Sequence, residues 1–124
     1  DQFPRHVYRG RARAYAQDSR ALAFTLHALT TGGDATLSPA ERLFLYLPLQ
    51  HAESAAMQEE SISAYRRLLA DAPEQHKKLF QSVLDFALQH QDVVARFGRF
   101  PHRNAALSRR STPEEAEFLS TPAR

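Results

Sequence analysis

The sequence predicts an all-α fold, and three observations support this. Apolar residues recur at steps of three and four, which places them on one face of a helix. Residues 38–41 and 112–115 each read as a Ser or Thr, a proline and a glutamate three positions on, a capping box with proline at the first helical position. No stretch alternates convincingly at period two, as a half-buried strand would. We expect antiparallel helical hairpins stacked as a tetratricopeptide-like repeat.

The first two predicted helices cover residues 19–31 and 39–47. Asp18 is a good N-cap for the first of them, and Gly32 is a natural stop. The second begins at a capping box. Pro48 lacks an amide hydrogen, so it is expected to end or kink that helix.

The next two predicted helices cover residues 54–70 and 74–97, and a short closing helix covers residues 113–119. Gly98 is a natural C-cap, which places residues 99–104 in the loop beyond the longest helix. The residues expected to face inward lie three and four positions apart. In the third helix they are Ala56, Ile62, Tyr65 and Leu69, and in the fourth Leu79, Val83, Phe86, His90, Val94 and Phe97.

Length and composition limit the class of protein. The 124 residues suffice for one core, so residues 1–124 are expected to form a single α-helical domain. The chain has no cysteine, which excludes a disulfide, a thiolate zinc site and a thiol nucleophile. No apolar run approaches the roughly 18 residues of a membrane span, and the first residues do not read as a signal peptide. We therefore expect a cytoplasmic protein without a membrane partner.

Positive charge is carried almost entirely by arginine, with fourteen arginines and two lysines. A guanidinium fork fits carboxylate and phosphate, although coding composition in a GC-rich genome would give the same bias. The formal net charge is only +2 and no nucleic-acid-binding motif is present, so nucleic acid is not an expected partner. The arginines that would favour nucleic acid are Arg5, Arg9, Arg11, Arg13, Arg109 and Arg110.

Three motifs in sequence order resemble the bacterial domain-of-unknown-function 924 family. They are Asp-Gln-Phe-Pro-Arg at 1–5 with Arg9-Gly10, Phe-Leu-Tyr-Leu-Pro at 44–48 with His51 and Glu53, and Arg-Phe-Gly-Arg-Phe-Pro-His-Arg-Asn at 96–104 with Ser-Thr-Pro-Glu-Glu at 111–115. The resemblance implies a tetratricopeptide-like fold, a bacterial setting and no established activity. Members carry further helical residues before the first motif, so we expect this chain to lack an N-terminal part of the family unit. His6 stands where the family often has asparagine.

A candidate site is centred on residues 90–104, where hydrogen-bonding side chains alternate with phenylalanines. Phe-Pro-Arg at 3–5 and Phe-Pro-His-Arg at 100–103 form a near repeat, which predicts two loops converging on one anion. The alternative is structural: each phenylalanine fills a core end while each arginine binds helix carbonyls or a carboxylate. The candidate ligand-binding residues are Arg5, His51, Glu53, His90, Asp92, Arg99, His102, Arg103 and Asn104.

Neither a metal nor a cofactor is predicted. His90 and Asp92 are two residues apart on a helix, which separates their side chains by about 200° and prevents chelation from one face. His51 and Glu53 have the same spacing.

Three functions remain open from the sequence. The first is a binding module whose Arg- and His-lined groove takes a small anionic ligand or an acidic peptide end, with a peptide or protein as the partner. The second is a hydrolase-like enzyme in which His90 or His102 acts as general base. The third is a structural or interaction protein whose polar residues form only a buried network.

Overall fold

The computed structural model describes Val7 and residues 9–121, and this part of the chain is all-α, as predicted. The helices are Asp18–Thr31 (α1), Pro39–Leu45 (α2), Leu47–Gln50 (α3), Ala55–Asp71 (α4), Lys77–Phe97 (α5) and Pro113–Ser120 (α6). Short 3-10 turns cover Ala12–Tyr15, Gly33–Thr36, Glu74–His76 and Pro101–Arg103. No helix of the described residues is both long and apolar enough to cross a bilayer. The tetratricopeptide-like stacking of the hairpins stays a prediction.

The predicted helix ends are confirmed at Ser38, Thr112 and Gly98. The predicted N-cap at Asp18 is wrong: Asp18 is the first residue of α1, and Gln17 precedes it without a side-chain cap bond. The amide of Glu41 donates to Ser38 Oγ at 3.2 Å and the amide of Ser38 donates to the Glu41 carboxylate at 3.0 Å. Thr112 and Glu115 form the same reciprocal pair at the start of α6. Gly98 ends α5 in the left-handed region, with φ of 75°, and its amide donates to Val94 O. Glycine reaches this conformation without a side-chain clash.

The predicted helix over 39–47 divides at Tyr46 into α2 and α3. Pro48 lies in the first turn of α3, where its missing amide hydrogen breaks no helical bond. Tyr46 is buried at the break, and its hydroxyl donates to Asp34 Oδ2 at 2.6 Å. The break thus turns the chain toward His51 and Glu53 while it keeps a large aromatic side chain in the core.

The core lies mainly between α4 and α5, which a short turn joins. Tyr46 and Leu49 from the α2–α3 region pack against this pair of helices, and the Tyr46 ring meets the edge of the Tyr65 ring with centroids 5.9 Å apart. The other buried apolar residues of this cluster are Ile62, Ala64, Leu68, Ala72, Phe80, Leu84 and Ala87. Burial of these side chains is the main source of stability for the fold.

The predicted inward face of α5 is partly wrong. Leu79 and Phe86 are 58% and 56% exposed, whereas Phe80 and Leu84 are buried. The apolar side chains of α5 cover more of its circumference than α4 can bury. The buried face contains Phe80 and Leu84 and lies beside the row of Leu79 and Phe86. Ala56 of α4 was also expected to face inward and is exposed.

Candidate functional site

The Glu53 carboxylate joins the turn after α3 to the loop after α5. Arg109 Nη1 donates to Glu53 Oε1 at 2.9 Å, and Arg109 Nη2 donates to Oε2 at 3.0 Å. The backbone amide of Phe100 donates to the same Oε2 at 2.7 Å. Burial raises the pKa of Glu53, but these hydrogen bonds and the charges of Arg109 and Arg103 outweigh that effect, so its pKa lies below the ordinary value.

Arg109 also organises its own loop. Its Nε donates to Asn104 Oδ1 and its Nη2 to the carbonyl of Phe100, both at 3.0 Å. Asn104 is buried, and its amide group donates to Ser111 Oγ at 3.1 Å. From the sequence, Asn104 is expected to bind a ligand and Arg109 is only one of several basic residues; in the structure both hold this loop together. No local signal links Arg109 to Glu53, because the two residues are 56 positions apart.

Arg99 pairs with Glu115 at the start of α6. Arg99 Nε donates to Oε2 at 2.8 Å and Nη2 donates to Oε1 at 2.7 Å, a two-bond pair. Arg99 Nη2 also donates to the carbonyl of Arg110. The Arg99 hydrogen bonds and the Thr112 amide lower the pKa of Glu115 to about 2. Glu115 therefore serves both the capping box and this ion pair.

Arg103 is held between two aromatic rings. Its guanidinium carbon lies 4.6 Å from the Tyr15 ring centroid and 4.8 Å from that of Phe100. Nη2 donates to the carbonyl of His51 at 2.7 Å, while Nη1 lies 3.5 Å from Asp18 Oδ2 and 3.9 Å from Glu53 Oε1. The Arg103 side chain is only 8% exposed. These contacts fix the position of the Arg103 guanidinium group.

Two of the predicted histidines lie around Phe100. The rings of His90 and Phe100 meet edge to face with centroids 5.5 Å apart, and the ring of His102 lies 5.7 Å from Phe100. Burial, followed by the charges of His51, His102 and Arg103, lowers the pKa of His90 to about 4. Its buried Nδ1 has no hydrogen-bond partner among the described residues. His90 is therefore neutral at physiological pH.

A groove of about 420 Å³ opens beside Arg103. It lies between the start of α1, the turn after α3 and the loop that follows α5. Its lining is part apolar and part polar: Tyr15, Asp18, Ser19, Leu22, Pro48, His51, Ala52, Glu53, Ser54, Arg103 and Leu107. Tyr15 and Asp18 were not among the predicted site residues, since the sequence offered Asp18 only as a helix cap.

The structure does not place all of the predicted site residues around one groove. His51, Glu53 and Arg103 line the groove beside Arg103, whereas Arg99 borders a separate cavity of about 550 Å³ with Arg96, Phe97, Thr112, Glu114 and Glu115. Asp92 is exposed and borders a third cavity with Ala55, Glu59, Leu88, Gln91 and Ala95. Arg5 lies outside the described residues.

The charges of the described cluster balance. The guanidinium groups of Arg99, Arg103 and Arg109 lie with the carboxylates of Asp18, Glu53 and Glu115. The two short pairs, Arg99–Glu115 and Arg109–Glu53, hold the loops in place. The fold and this cluster define an all-α protein in which separate loops are joined by a partly buried polar network.

The chain belongs to the family described as bacterial protein of unknown function (DUF924), whose model matches residues 1–123. The chain is also similar to a solved structure, the protein of unknown function ATU0120 from Agrobacterium tumefaciens, at 41% sequence identity and a TM-score of 0.80. The match covers 97% of this chain and 62% of that one, so the chain spans less than two thirds of its relative's length. No curated protein matches the chain.

Proposed function

We propose that the protein is a binding module whose groove beside Arg103 takes a ligand with a terminal carboxylate, such as a small organic acid or the carboxyl end of a peptide. The observation that carries this proposal is the setting of Arg103. Two rings and the His51 carbonyl fix the guanidinium at the wall of an open groove. A planar, pre-oriented fork of this kind suits carboxylate recognition.

Among the ion pairs of the described residues, the pair of Arg103 with Asp18 is longer than the pairs that Arg99 and Arg109 form with glutamates. Arg103 Nη1 lies 3.5 Å from the Asp18 carboxylate, whereas the Arg99–Glu115 pair is 2.7 Å long. Charge-assisted hydrogen bonds usually measure about 2.7–2.9 Å. A ligand carboxylate would form the shorter bond as the Asp18 side chain, 24% exposed, turns toward solvent. In the proposal, the Asp18 carboxylate thus competes with the ligand carboxylate for Arg103.

The rest of the lining indicates what else the ligand carries. Leu22, Pro48 and Leu107 give the groove an apolar side, and Tyr15 adds an aromatic ring. Because the described residues of the cluster carry as many carboxylates as guanidinium groups, we expect affinity for an anion to come from fixed geometry and apolar contact rather than from a strong positive electrostatic field. This favours a carboxylate attached to an apolar group.

A structural role is the better account of Arg99 and Arg109. Both are used in two-bond pairs with glutamates, and Arg109 also binds the Phe100 carbonyl. The hydrolase hypothesis gains no support from His90, because a pKa of about 4 makes its imidazole a weak base near neutral pH.

Calorimetric titration tests the proposal. The probes are short peptides with an apolar last residue, each prepared with a free and with an amidated carboxyl end. We expect amidation to weaken binding at least about tenfold, which is about 1.4 kcal/mol. We expect Arg103→Lys to weaken binding of the free acid by a similar factor, since lysine has no fork. Arg66→Lys, at an exposed position of α4, is the matched control. Equal affinity for acid and amide overturns the proposal.

A further inference from the structure

A row of apolar side chains is exposed along the first half of α5. Leu79, Val83 and Phe86 follow one another at steps of four and three, so they project from one side of the helix. Leu79 and Phe86 are 58% and 56% exposed, and Val83 between them is half-buried, with part of its side chain against the core. Together with the buried face, this row makes about half of the helix circumference apolar, which exceeds the stripe needed for a single packing face.

The same row continues along the second half of α5, where it is covered. His90 contacts the Phe100 ring, and the rings of Phe97 and Phe118 have centroids 5.2 Å apart. The exposed row is therefore the continuation of an internal interface. None of the described residues covers Leu79 or Phe86 to a comparable degree, so both still present large apolar surfaces to solvent.

We propose that this row, Leu79, Val83 and Phe86, is the surface through which two copies of the chain associate. The spacing of the row is self-complementary. Leu79 and Phe86 lie at almost equal distances on either side of Val83, so a two-fold axis near that residue places Leu79 against the partner's Phe86. The reciprocal contact follows from the same operation. The α5 helices of the two copies then run antiparallel.

The charged residues beside the row fit this arrangement. Lys78 and Asp85 are exposed and flank the row on the same side of α5, and Asp85 also accepts a hydrogen bond from Gln81 Nε2 at 3.0 Å. The two-fold axis brings Lys78 to within about two residues of the partner's Asp85, or about 3 Å along the helix. Opposite charges therefore lie at nearly the same level on one edge of the proposed interface, while the row itself contains no charge. This complementarity favours a second copy over an unrelated partner.

Sedimentation equilibrium across a concentration series tests the proposal. We expect the wild-type protein to reach twice the monomer mass, and Phe86→Asp to remain a monomer with unchanged helix content. Phe44→Asp is the matched control, because Phe44 is 64% exposed on α2 and lies outside the row. A wild-type protein that is monomeric throughout, or a dimer dissociated by Phe44→Asp rather than by Phe86→Asp, overturns the proposal.

Charge exchange and cross-linking test the orientation of the two copies. Lys78→Glu alone is expected to weaken the dimer about tenfold, and adding Asp85→Lys is expected to restore it. Because the chain has no cysteine, Val83→Cys supplies a single thiol that should form a disulfide between copies. Ser63→Cys, at an exposed position of α4, should not. Dimerisation without the Val83→Cys disulfide, or without charge rescue, overturns the antiparallel arrangement. The surface does not include the groove beside Arg103, so either proposal can fail alone.

Discussion

Arg109 and Glu53, 56 residues apart in the sequence, form a two-bond ion pair with nitrogen–oxygen distances of 2.9 and 3.0 Å. The pair connects the loop after α5 to the turn after α3, and the Phe100 amide completes the coordination of Glu53 at 2.7 Å. These contacts fix two walls of the groove beside Arg103. The binding geometry therefore depends on residues that need not touch a ligand.

Glu53→Gln is expected to destabilise the protein by about 2 kcal/mol. The substitution leaves Arg109 partly buried without its charge partner, and the effect is smaller than for a fully buried pair because both side chains remain partly exposed. Urea unfolding monitored by circular dichroism measures the change. Glu59→Gln, at an exposed position of the same region, should alter stability by less than about 0.5 kcal/mol. Equal unfolding midpoints for the two variants would contradict the assigned role of the pair.

The pKa of Glu115 predicts the acid sensitivity of the loop after α5. Its folded-state pKa of about 2 lies below the unfolded value of 4.5, so the folded state favours the carboxylate. This contribution is fully present above pH 4.5 and is lost as the pH falls toward 2. The stability difference between wild type and Glu115→Gln should therefore shrink over that interval. If urea titrations show the same stability difference between the two proteins from pH 6 to about pH 2, ionisation of Glu115 does not contribute to stability as predicted.

His90 should lower the stability of the protein as the pH falls from about 6.5 to about 4, an interval above that of Glu115. Its pKa is about 4 in the folded state and 6.5 when unperturbed, so the unfolded chain takes up a proton first. Stability is full above pH 6.5 and declines as the pH falls toward 4. His90→Gln should flatten this decline, and His27→Gln, at an exposed position of α1, should not. A proton NMR titration in which His90 titrates near 6.5 would refute the prediction.

Gly98→Ala is expected to lower the free energy of unfolding by about 1 kcal/mol, because alanine is disfavoured in the left-handed backbone conformation. Gly98 has a φ of 75°, yet an added Cβ would meet no atom within 4 Å. The cost should therefore fall when the new residue tolerates the left-handed region, so Gly98→Asn should be less destabilising than Gly98→Ala. Thermal unfolding compares the two variants. Equal losses would show that strain at this position does not set the end of α5.

Local chemistry explains which parts of the fold could be predicted from the sequence. The capping boxes at Ser38 and Thr112, the break near Pro48 and the C-cap at Gly98 each depend on neighbouring residues, and each is present. The spacing of apolar residues does not locate the inward face of α5, because its apolar arc is wider than one packing face. Which apolar residues of α5 are buried depends on where α4 packs against it.

The site was harder to predict because its contacts join distant segments. The residue types near 90–104 indicated a polar network, but the partners of its arginines depend on how the loops fold together. Glu53 pairs with Arg109, which the sequence offered only as one of several basic residues. Asp92 lies two residues from His90, but that spacing points the two side chains to different sides of α5. His90 packs against Phe100, whereas Asp92 is exposed and borders the cavity beside Ala55.

Asp18→Asn is the most direct test of the proposed function. If a ligand carboxylate displaces Asp18 from Arg103, removing the competing charge should tighten binding of a free-acid peptide several-fold in calorimetric titrations. Asp92→Asn removes a carboxylate elsewhere and should leave the affinity unchanged. Unchanged or weaker binding by Asp18→Asn, or an equal gain in both variants, would contradict carboxylate recognition at Arg103.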